Sequence, residues 1–168
     1  MKQLSGIILL GLVVLLGGCA TTNIHNEHPL YAESAEEPHA DVYFVRPFTQ
    51  RSRGVADSPL KVELDEIPAL SLAIGEYALL RLKPTTTDII VRNLTFMTAQ
   101  VNPVEVWRAR RYKFEAGKTY YVVMKQEHEE FRGIYFIPEL VDPRSAAEVA
   151  QRLRPAGALA KDHRIAGS

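Results

Sequence analysis

The sequence predicts an all-β protein, an antiparallel β-sandwich of the immunoglobulin-like or prealbumin-like type with one C-terminal α-helix. Segments rich in β-branched and aromatic residues recur between residues 40 and 137. Their spacing is close to the ~8–12 residues that are typical of sandwiches and barrels. Turn-forming residues separate them, and only residues 142–154 show a convincing helical pattern. Residues 40–154 are therefore predicted to form one domain with a core of its own.

Residues 1–18 have the pattern of a secretory signal peptide. A positively charged start, Met1-Lys2, precedes an apolar run over residues 4–16, and two glycines follow it. The run is shorter than the ~20 apolar residues that a membrane-spanning helix needs. We therefore expect residues 1–18 to be removed from the mature protein.

The only cysteine of the chain, Cys19, follows this run directly, and LGGC at residues 16–19 resembles the bacterial lipoprotein signal. The resemblance implies that the thiol is lipidated, that acyl chains such as palmitate are attached, and that the chain is cut before Cys19. Several acyl chains on one residue give stable anchoring. Ala20 stands where Asp favours the inner membrane, which implies the periplasmic face of the outer membrane. An acylated Cys19 leaves no thiol for a disulfide or a metal site.

Residues 19–39 are predicted to be a lipidated flexible tether. After Cys19 they contain four glutamates, no Lys or Arg, and few large apolar residues. A flexible chain of this length reaches roughly 25 Å. The tether is therefore expected to lift the domain off the head groups.

The predicted strands follow in order from residue 40. Residues 40–46 alternate and end at Pro47, and residues 60–64 and 67–72 form a hairpin that turns at Asp65-Glu66. Further strands are predicted over residues 77–82, 88–92, 104–114, 119–125 and 131–137.

The predicted helix begins after Asp142, which is a suitable N-cap, with Pro143 at the first helical position. Pro155 ends it. An apolar stripe predicts that the helix docks on the sandwich; the stripe consists of Ala146, Val149, Ala150 and Leu153. Residues 155–168 are predicted to be a frayed tail.

Two clusters of titratable residues are candidates for metal binding or catalysis. His25 and His28 lie in the predicted tether. They could contact a metal ion by chance, or they could simply be solvated. A structural metal site needs four ligands held on a scaffold, which a tether does not supply. Glu127, Glu129 and Glu130 lie in a predicted turn, where a charge run is typical of a solvated loop. No catalytic or nucleotide-binding motif occurs. We predict no catalytic residue, no metal site and no cofactor.

The strand over residues 104–114 carries the candidate binding surface, Trp107, Arg108, Arg110 and Arg111. Alternation places Arg108 and Arg110 on one face and Trp107 with Arg111 on the other. Guanidinium groups bind phosphate or carboxylate, and an aromatic ring stacks on another ring or a sugar. The alternative is an exposed strand whose arginines lie over Trp107, pair with neighbouring acids and discourage edge-to-edge association.

Three segments together resemble a known family. They are HADVYFVRP at residues 39–47, VELDEIPALSLAIGEYALLRLKP at residues 62–84 and FEAGKTYYVV at residues 114–123. They resemble the bacterial lipoproteins that carry domain of unknown function 2846. The resemblance covers roughly residues 40–154 and implies an envelope lipoprotein with a β-sandwich domain and no established activity. It carries over no catalytic residue.

The chain departs from this family at two turns. The family favours Asp-Gly where this chain has Asp65-Glu66, and Pro-Gly where it has Pro84-Thr85. Because Glu tolerates a positive φ poorly, a different turn type is expected at Asp65-Glu66.

These observations predict a membrane-anchored, non-enzymatic envelope lipoprotein that binds an envelope protein or a glycan. The alternatives are a hydrolase that acts on cell-wall or lipid substrates and an assembly factor for an envelope complex. Twenty basic and 20 acidic residues balance across the chain, so no global charge favours a nucleic-acid partner.

Overall fold

A computed structural model describes residues 21–49, 54–98, 100–130 and 132–165. The predicted signal peptide, residues 1–18, and the predicted lipidation site, Cys19, lie outside the described residues. Two five-stranded sheets pack face to face, and two short helices lie near the C-terminus. The predicted all-β sandwich with a C-terminal helix is therefore confirmed.

The described residues form ten β-strands and two α-helices. In the first sheet the strand order is β1-β4-β3-β6-β7, and in the second it is β10-β5-β2-β8-β9. Most neighbours are antiparallel, but β2 pairs parallel with β8, and β10 pairs parallel with β5. The bounds are β1 Asn23–Ile24, β2 Ala40–Arg46, β3 Leu60–Leu64, β4 Ile67–Leu72, β5 Glu76–Leu82, β6 Thr86–Thr95, β7 Val104–Lys113, β8 Thr119–Glu129, β9 Gly133–Val141, α1 Pro143–Ala150, β10 Arg154–Ala156 and α2 Ala158–Asp162.

The main core lies between the two sheets, where alternate residues of each strand meet. In β3, Leu60 and Leu64 are fully buried whereas Lys61 between them is exposed. Phe44 of β2 and Phe114 after β7 add large, fully buried aromatic side chains to this layer. The period-two pattern that predicted these strands therefore arises from one face that is buried between the sheets.

A second core covers the opposite face of the second sheet. Tyr43 and Val45 of β2 point away from the first sheet, and they are buried against Leu153, Ala160 and Ile165 of the C-terminal segment. This arrangement explains why β2 is apolar on both faces. The frayed tail predicted over residues 155–168 is wrong for its described part, because β10, α2 and Ile165 pack on the second sheet. The predicted helix ends at Ala150, earlier than its pattern indicated.

The segment from residue 21 to residue 39 lies along one open side of the sandwich. Its strand β1 pairs with β4 of the first sheet, while Tyr31 forms a bridge to Leu82 of the second. The hydroxyl of Tyr31 donates to the carbonyl oxygen of Ala69 at 2.9 Å, and the N–H of Thr22 donates to Glu76 Oε2 at 3.0 Å. The prediction of a flexible tether over residues 19–39 is therefore wrong for the described residues. This segment pairs with both sheets and closes the gap between them.

The hairpin turn between β3 and β4 has positive φ at both central residues, a geometry that the sequence did not predict. Asp65 and Glu66 both have positive φ, 50° and 67°, as in the turns that usually contain Asp-Gly. The expectation of a different turn type is therefore wrong. Hydrogen bonds compensate at Asp65, whose Oδ1 accepts from the N–H of Asp88 at 2.8 Å and whose own N–H donates to the carbonyl oxygen of Asp88 at 2.9 Å.

Glu66→Gly is expected to stabilise the protein by about 0.5–1 kcal/mol, because a side chain at positive φ is strained and glycine is not. Urea unfolding of the variant and the wild type measures the difference. Asp65→Gly is the matched control, since it relieves the same strain but removes the carboxylate that accepts from Asp88. A Glu66→Gly variant no more stable than the wild type would contradict the strain at Glu66.

Candidate binding surface

The candidate surface is built on β7, the edge strand of the first sheet. The alternation predicted from the sequence is present: Val106 is only 7% exposed and faces the core, whereas Trp107 is 55% exposed and faces outward. In the neighbouring strand β6, Arg92 lies opposite Trp107 and Asp88 lies opposite Arg111. The outward face of β7 therefore presents one large aromatic ring among charged neighbours.

Two of the three predicted arginines bond to carbonyl groups of their own strand. Arg108 Nη1 donates to the carbonyl oxygen of Trp107 at 3.0 Å, and Arg110 Nη1 donates to that of Ala109 at 3.2 Å. The strand β6 lies on one side of β7, and in the described part of the chain no strand of the sheet pairs with the other edge. Both contacts fit the predicted alternative, in which charged side chains discourage edge-to-edge pairing.

Arg108 is held further by two groups from the second sheet. Its guanidinium lies over the ring of Tyr135 in β9, 3.8 Å from the centroid, and its Nη2 donates to Glu129 Oε1 at 3.2 Å. A cation over an aromatic face is attracted by the ring quadrupole. Arg108 therefore joins the edges of the two sheets in a fixed position.

Arg111 is paired within the first sheet. Its Nε and Nη2 donate to the two carboxylate oxygens of Asp88 at 2.8 and 2.6 Å. The hydrogen bond from Arg111 lowers the pKa of Asp88, and the same bond raises the pKa of Arg111. This bidentate pair with Asp88 neutralises the charge of Arg111.

The rest of the outward face is also neutralised by pairs. Lys61 Nζ lies 2.6 Å from Glu105 Oε2, and Arg92 Nε lies 2.7 Å from Glu63 Oε1. The hydrogen bond to Glu63 is the main cause that raises the pKa of Arg92. Trp107 therefore stands among charges that already have partners, so its exposed ring is the unusual feature of this face.

A shallow groove of about 650 Å3 runs beside Trp107. β7 supplies Val106, Trp107 and Arg108, and β9 supplies Tyr135. We call this feature the Trp107 groove; its lining also includes Met97, Glu105, Ala109 and Arg132. The exposed ring of Trp107 beside a guanidinium group suits a ring or sugar that carries an acidic group.

The structure divides the four predicted surface residues. Trp107 and Arg108 line the groove, whereas Arg110 and Arg111 lie outside its lining. Met97 and Tyr135 belong to the groove but come from the loop after β6 and from β9. No local pattern in the sequence marks these two residues, because only the folded arrangement of three segments brings them to β7.

A second cleft, of about 440 Å3, lies between the N-terminal segment and α2. Tyr31 and Arg81 contribute to its lining. Burial raises the pKa of Tyr31 to about 12, and Arg81 Nε lies 3.5 Å from Asp41 Oδ1. Because Tyr31 keeps its proton at neutral pH, it does not serve as a general base there.

The histidines of the predicted tether have structural contacts. His28 is 8% exposed; its Nδ1 accepts from the N–H of Leu30 at 3.1 Å, and its Nε2 lies 3.3 Å from the carbonyl oxygen of Ile67. Among the described residues, no group of three or more His, Cys, Asp or Glu side chains is placed to hold a metal ion.

Comparison with known proteins finds no family model, no curated protein and no solved structure that matches this chain. The resemblance to the lipoproteins that carry domain of unknown function 2846 therefore stays a prediction. Within residues 21–49, 54–98, 100–130 and 132–165, no helix has the length and apolarity needed to cross a membrane.

Proposed function

We propose that this protein is a lipid-anchored envelope lipoprotein whose sandwich domain binds an envelope protein or glycan through the Trp107 groove. The exposed ring of Trp107 carries the proposal. Tryptophan is enriched among the residues that dominate binding energy, and here 55% of its surface is open beside a groove.

The charges around the ring support recognition rather than catalysis. Arg108 is fixed by Tyr135 and Glu129, so its guanidinium is already oriented before a ligand arrives. A pre-oriented group loses less conformational entropy on binding. The proposed ligand class is therefore a partner that places an apolar or sugar ring on Trp107 and an acidic group near Arg108.

The lipid anchor rests on the sequence at residues 16–19. Attachment to a membrane would restrict the domain to one surface and raise its effective concentration near envelope partners. Cys19→Ser is expected to abolish incorporation of labelled palmitate and to release the protein from the membrane fraction. Unchanged membrane retention of Cys19→Ser would contradict the anchor.

Affinity purification from crosslinked cells tests the binding surface. Trp107→Ala is expected to reduce the recovered partner at least about tenfold, because truncating a binding hot spot costs ~2 kcal/mol or more. Ile67→Ala is the matched control, since Ile67 is also an exposed apolar residue, at 41%, but lies at the β3–β4 hairpin. Equal recovery with both variants, at unchanged melting temperature, would contradict the proposed surface.

A further inference from the structure

One end of the sandwich is identified by the position of Thr22, which precedes β1. The N–H of Thr22 donates to Glu76 Oε2 at 3.0 Å, and its Oγ1 accepts from the N–H of Ala73 at 2.9 Å. Glu76 is itself buried and paired with Arg154 at 2.8 Å. The chain is therefore fixed to the domain at Thr22. We call this part of the molecule the Thr22 end.

Cys19 precedes Thr22 by only three residues. A fully extended chain spans at most ~3.6 Å per residue, so the Cα atoms of Cys19 and Thr22 are no more than about 11 Å apart. The reach of roughly 25 Å expected for a flexible tether is therefore absent. A lipid attached to Cys19 would bring the Thr22 end close to the bilayer.

The strand register shows which other residues share this end. Asn23, Ser71, Lys61, Arg92 and Trp107 lie opposite one another in successive strands and form one transverse row of the first sheet. Successive strands in this row are antiparallel, so β1 and β7 run in the same direction and β6 runs in the opposite one. The start of β1, the end of β6 and the start of β7 therefore lie at the same end of the sheet. The loop that follows Thr95 therefore lies at the Thr22 end.

The second sheet places a further loop at this end. Arg46, the last residue of β2, lies opposite Glu76 in β5, and Glu76 is the residue that holds Thr22. The loop that follows β2 therefore also emerges at the Thr22 end.

Exposed apolar residues concentrate in these two loops. Val101 is 92% exposed, Phe48 is 57% exposed and Phe96 is 49% exposed. At the opposite end, beside the β3–β4 turn, the exposed large apolar side chain is Ile67, at 41%. Charged side chains occur at both ends, since β8 ends with Glu129 at the Thr22 end and β7 ends with Lys113 at the other. The exposed apolar cluster is therefore the feature that suits the Thr22 end to a lipid interface.

From these positions we infer that the Thr22 end docks on the lipid bilayer, with Phe48, Phe96 and Val101 inserted among the head groups. This inference rests on the proposed lipidation of Cys19, which supplies the attachment beside the same loops. Aromatic and aliphatic side chains partition into the interface to a depth of ~5–10 Å. In this orientation the sheet face that carries Trp107 is roughly perpendicular to the membrane plane. It therefore stays accessible to partners close to the bilayer.

Depth-dependent quenching tests this orientation in the full-length lipidated protein. A bimane label is attached at Val101→Cys or Phe96→Cys, and at Ile67→Cys as the control; acylated Cys19 does not react. The proteins are reconstituted into phosphatidylethanolamine–phosphatidylglycerol vesicles that contain nitroxide lipids. The ten-residue strands separate the two ends by about 30 Å. Labels at residues 96 and 101 are expected to be quenched at least about threefold more than the label at residue 67.

Two measurements separate failure of the orientation from failure of the anchor. Vesicle flotation and incorporation of labelled palmitate report the anchor alone. If the protein floats and incorporates palmitate but the labels at residues 96 and 101 are quenched no more than the label at residue 67, the docking inference is overturned and the anchor stands. If palmitate incorporation is absent, the proposed function fails and the docking inference fails with it.

Discussion

Replacing Arg46 with alanine is expected to destabilise the protein by about 3–5 kcal/mol, because the substitution removes a fully buried guanidinium and leaves its acceptors without partners. Nη1 of Arg46 donates to the carbonyl oxygens of Ser58 and Leu72 at 2.8 and 2.9 Å, and Nη2 donates to that of Ala56 at 2.9 Å. Arg46 thus ties the loop before β3 to the ends of β2 and β4.

The charge of Arg46 persists despite its burial. Desolvation lowers its pKa to about 10, which still leaves the guanidinium protonated at neutral pH, and Asp57 opposes this shift. The ring of Phe136 lies 5.2 Å from the guanidinium carbon. Lysine presents a point charge rather than a planar fork, so Arg46→Lys is also expected to lose much of this stability.

Urea unfolding at neutral pH measures both Arg46 variants. Arg111→Ala is the matched control, because Arg111 is an exposed strand arginine whose ion pair with Asp88 is open to solvent. Its free energy of unfolding is expected to stay close to that of the wild type. A loss of stability in Arg46→Ala no larger than in Arg111→Ala would contradict the anchoring role of Arg46.

Ala160→Glu is expected to cost about 3 kcal/mol or more, because it forces a charged side chain into the layer between α2 and the second sheet. Ala160 is fully buried in the cluster that contains Tyr43, Val45 and Ile165. A tail that frayed into solvent would accept the same substitution without loss. Removing residues 154–168 is expected to have a larger effect, since it uncovers the outer face of β2.

Ala158→Glu is the matched control for this prediction. It places the same side chain two residues earlier in the same helix, at an exposed position. Chemical denaturation of the two variants separates an effect of burial from an effect of charge. Equal stabilities would show that α2 does not seal the second core.

The strands of the sandwich were predictable because their signal is local. In β3, apolar residues alternate with Lys61 and Glu63, and that alternation is enough to place Leu60 and Leu64 in the core. The strand bounds were less accurate. β6 and β8 extend beyond their predicted ends, because polar residues such as Asn93 continue the pairing that the apolar pattern does not mark.

The two chain ends were predicted less well because their stability comes from distant residues. Ile24, Leu30 and Tyr31 are the few large apolar residues of a glutamate-rich segment, yet they pack against the main core. Ile165 is isolated in the sequence but buried against the second sheet. A segment with so few apolar residues is typical of a tether, and only the open side of a sandwich gives those residues a partner.

The candidate site was predictable only in part. Local alternation identified Trp107 as an outward residue of an arginine-rich strand. It did not reveal that Asp88 would occupy Arg111 or that Tyr135 would lie beneath Arg108, because both contacts join strands that are far apart in sequence. The burial of Arg46 was not predictable either, because nothing in the local sequence marks an arginine at the end of a strand as fully buried.

Site-specific photocrosslinking in cells tests the central claim, that the outward face around Trp107 binds an envelope partner. A photoreactive amino acid replaces Ala109, the next outward residue of β7, in the full-length protein; the matched position is Ala116, an exposed residue in the turn after β7. We predict a discrete crosslinked product at residue 109 that is absent at residue 116 and is lost when Trp107→Ala is added. No product at residue 109, or the same products at both positions regardless of Trp107, would contradict the account.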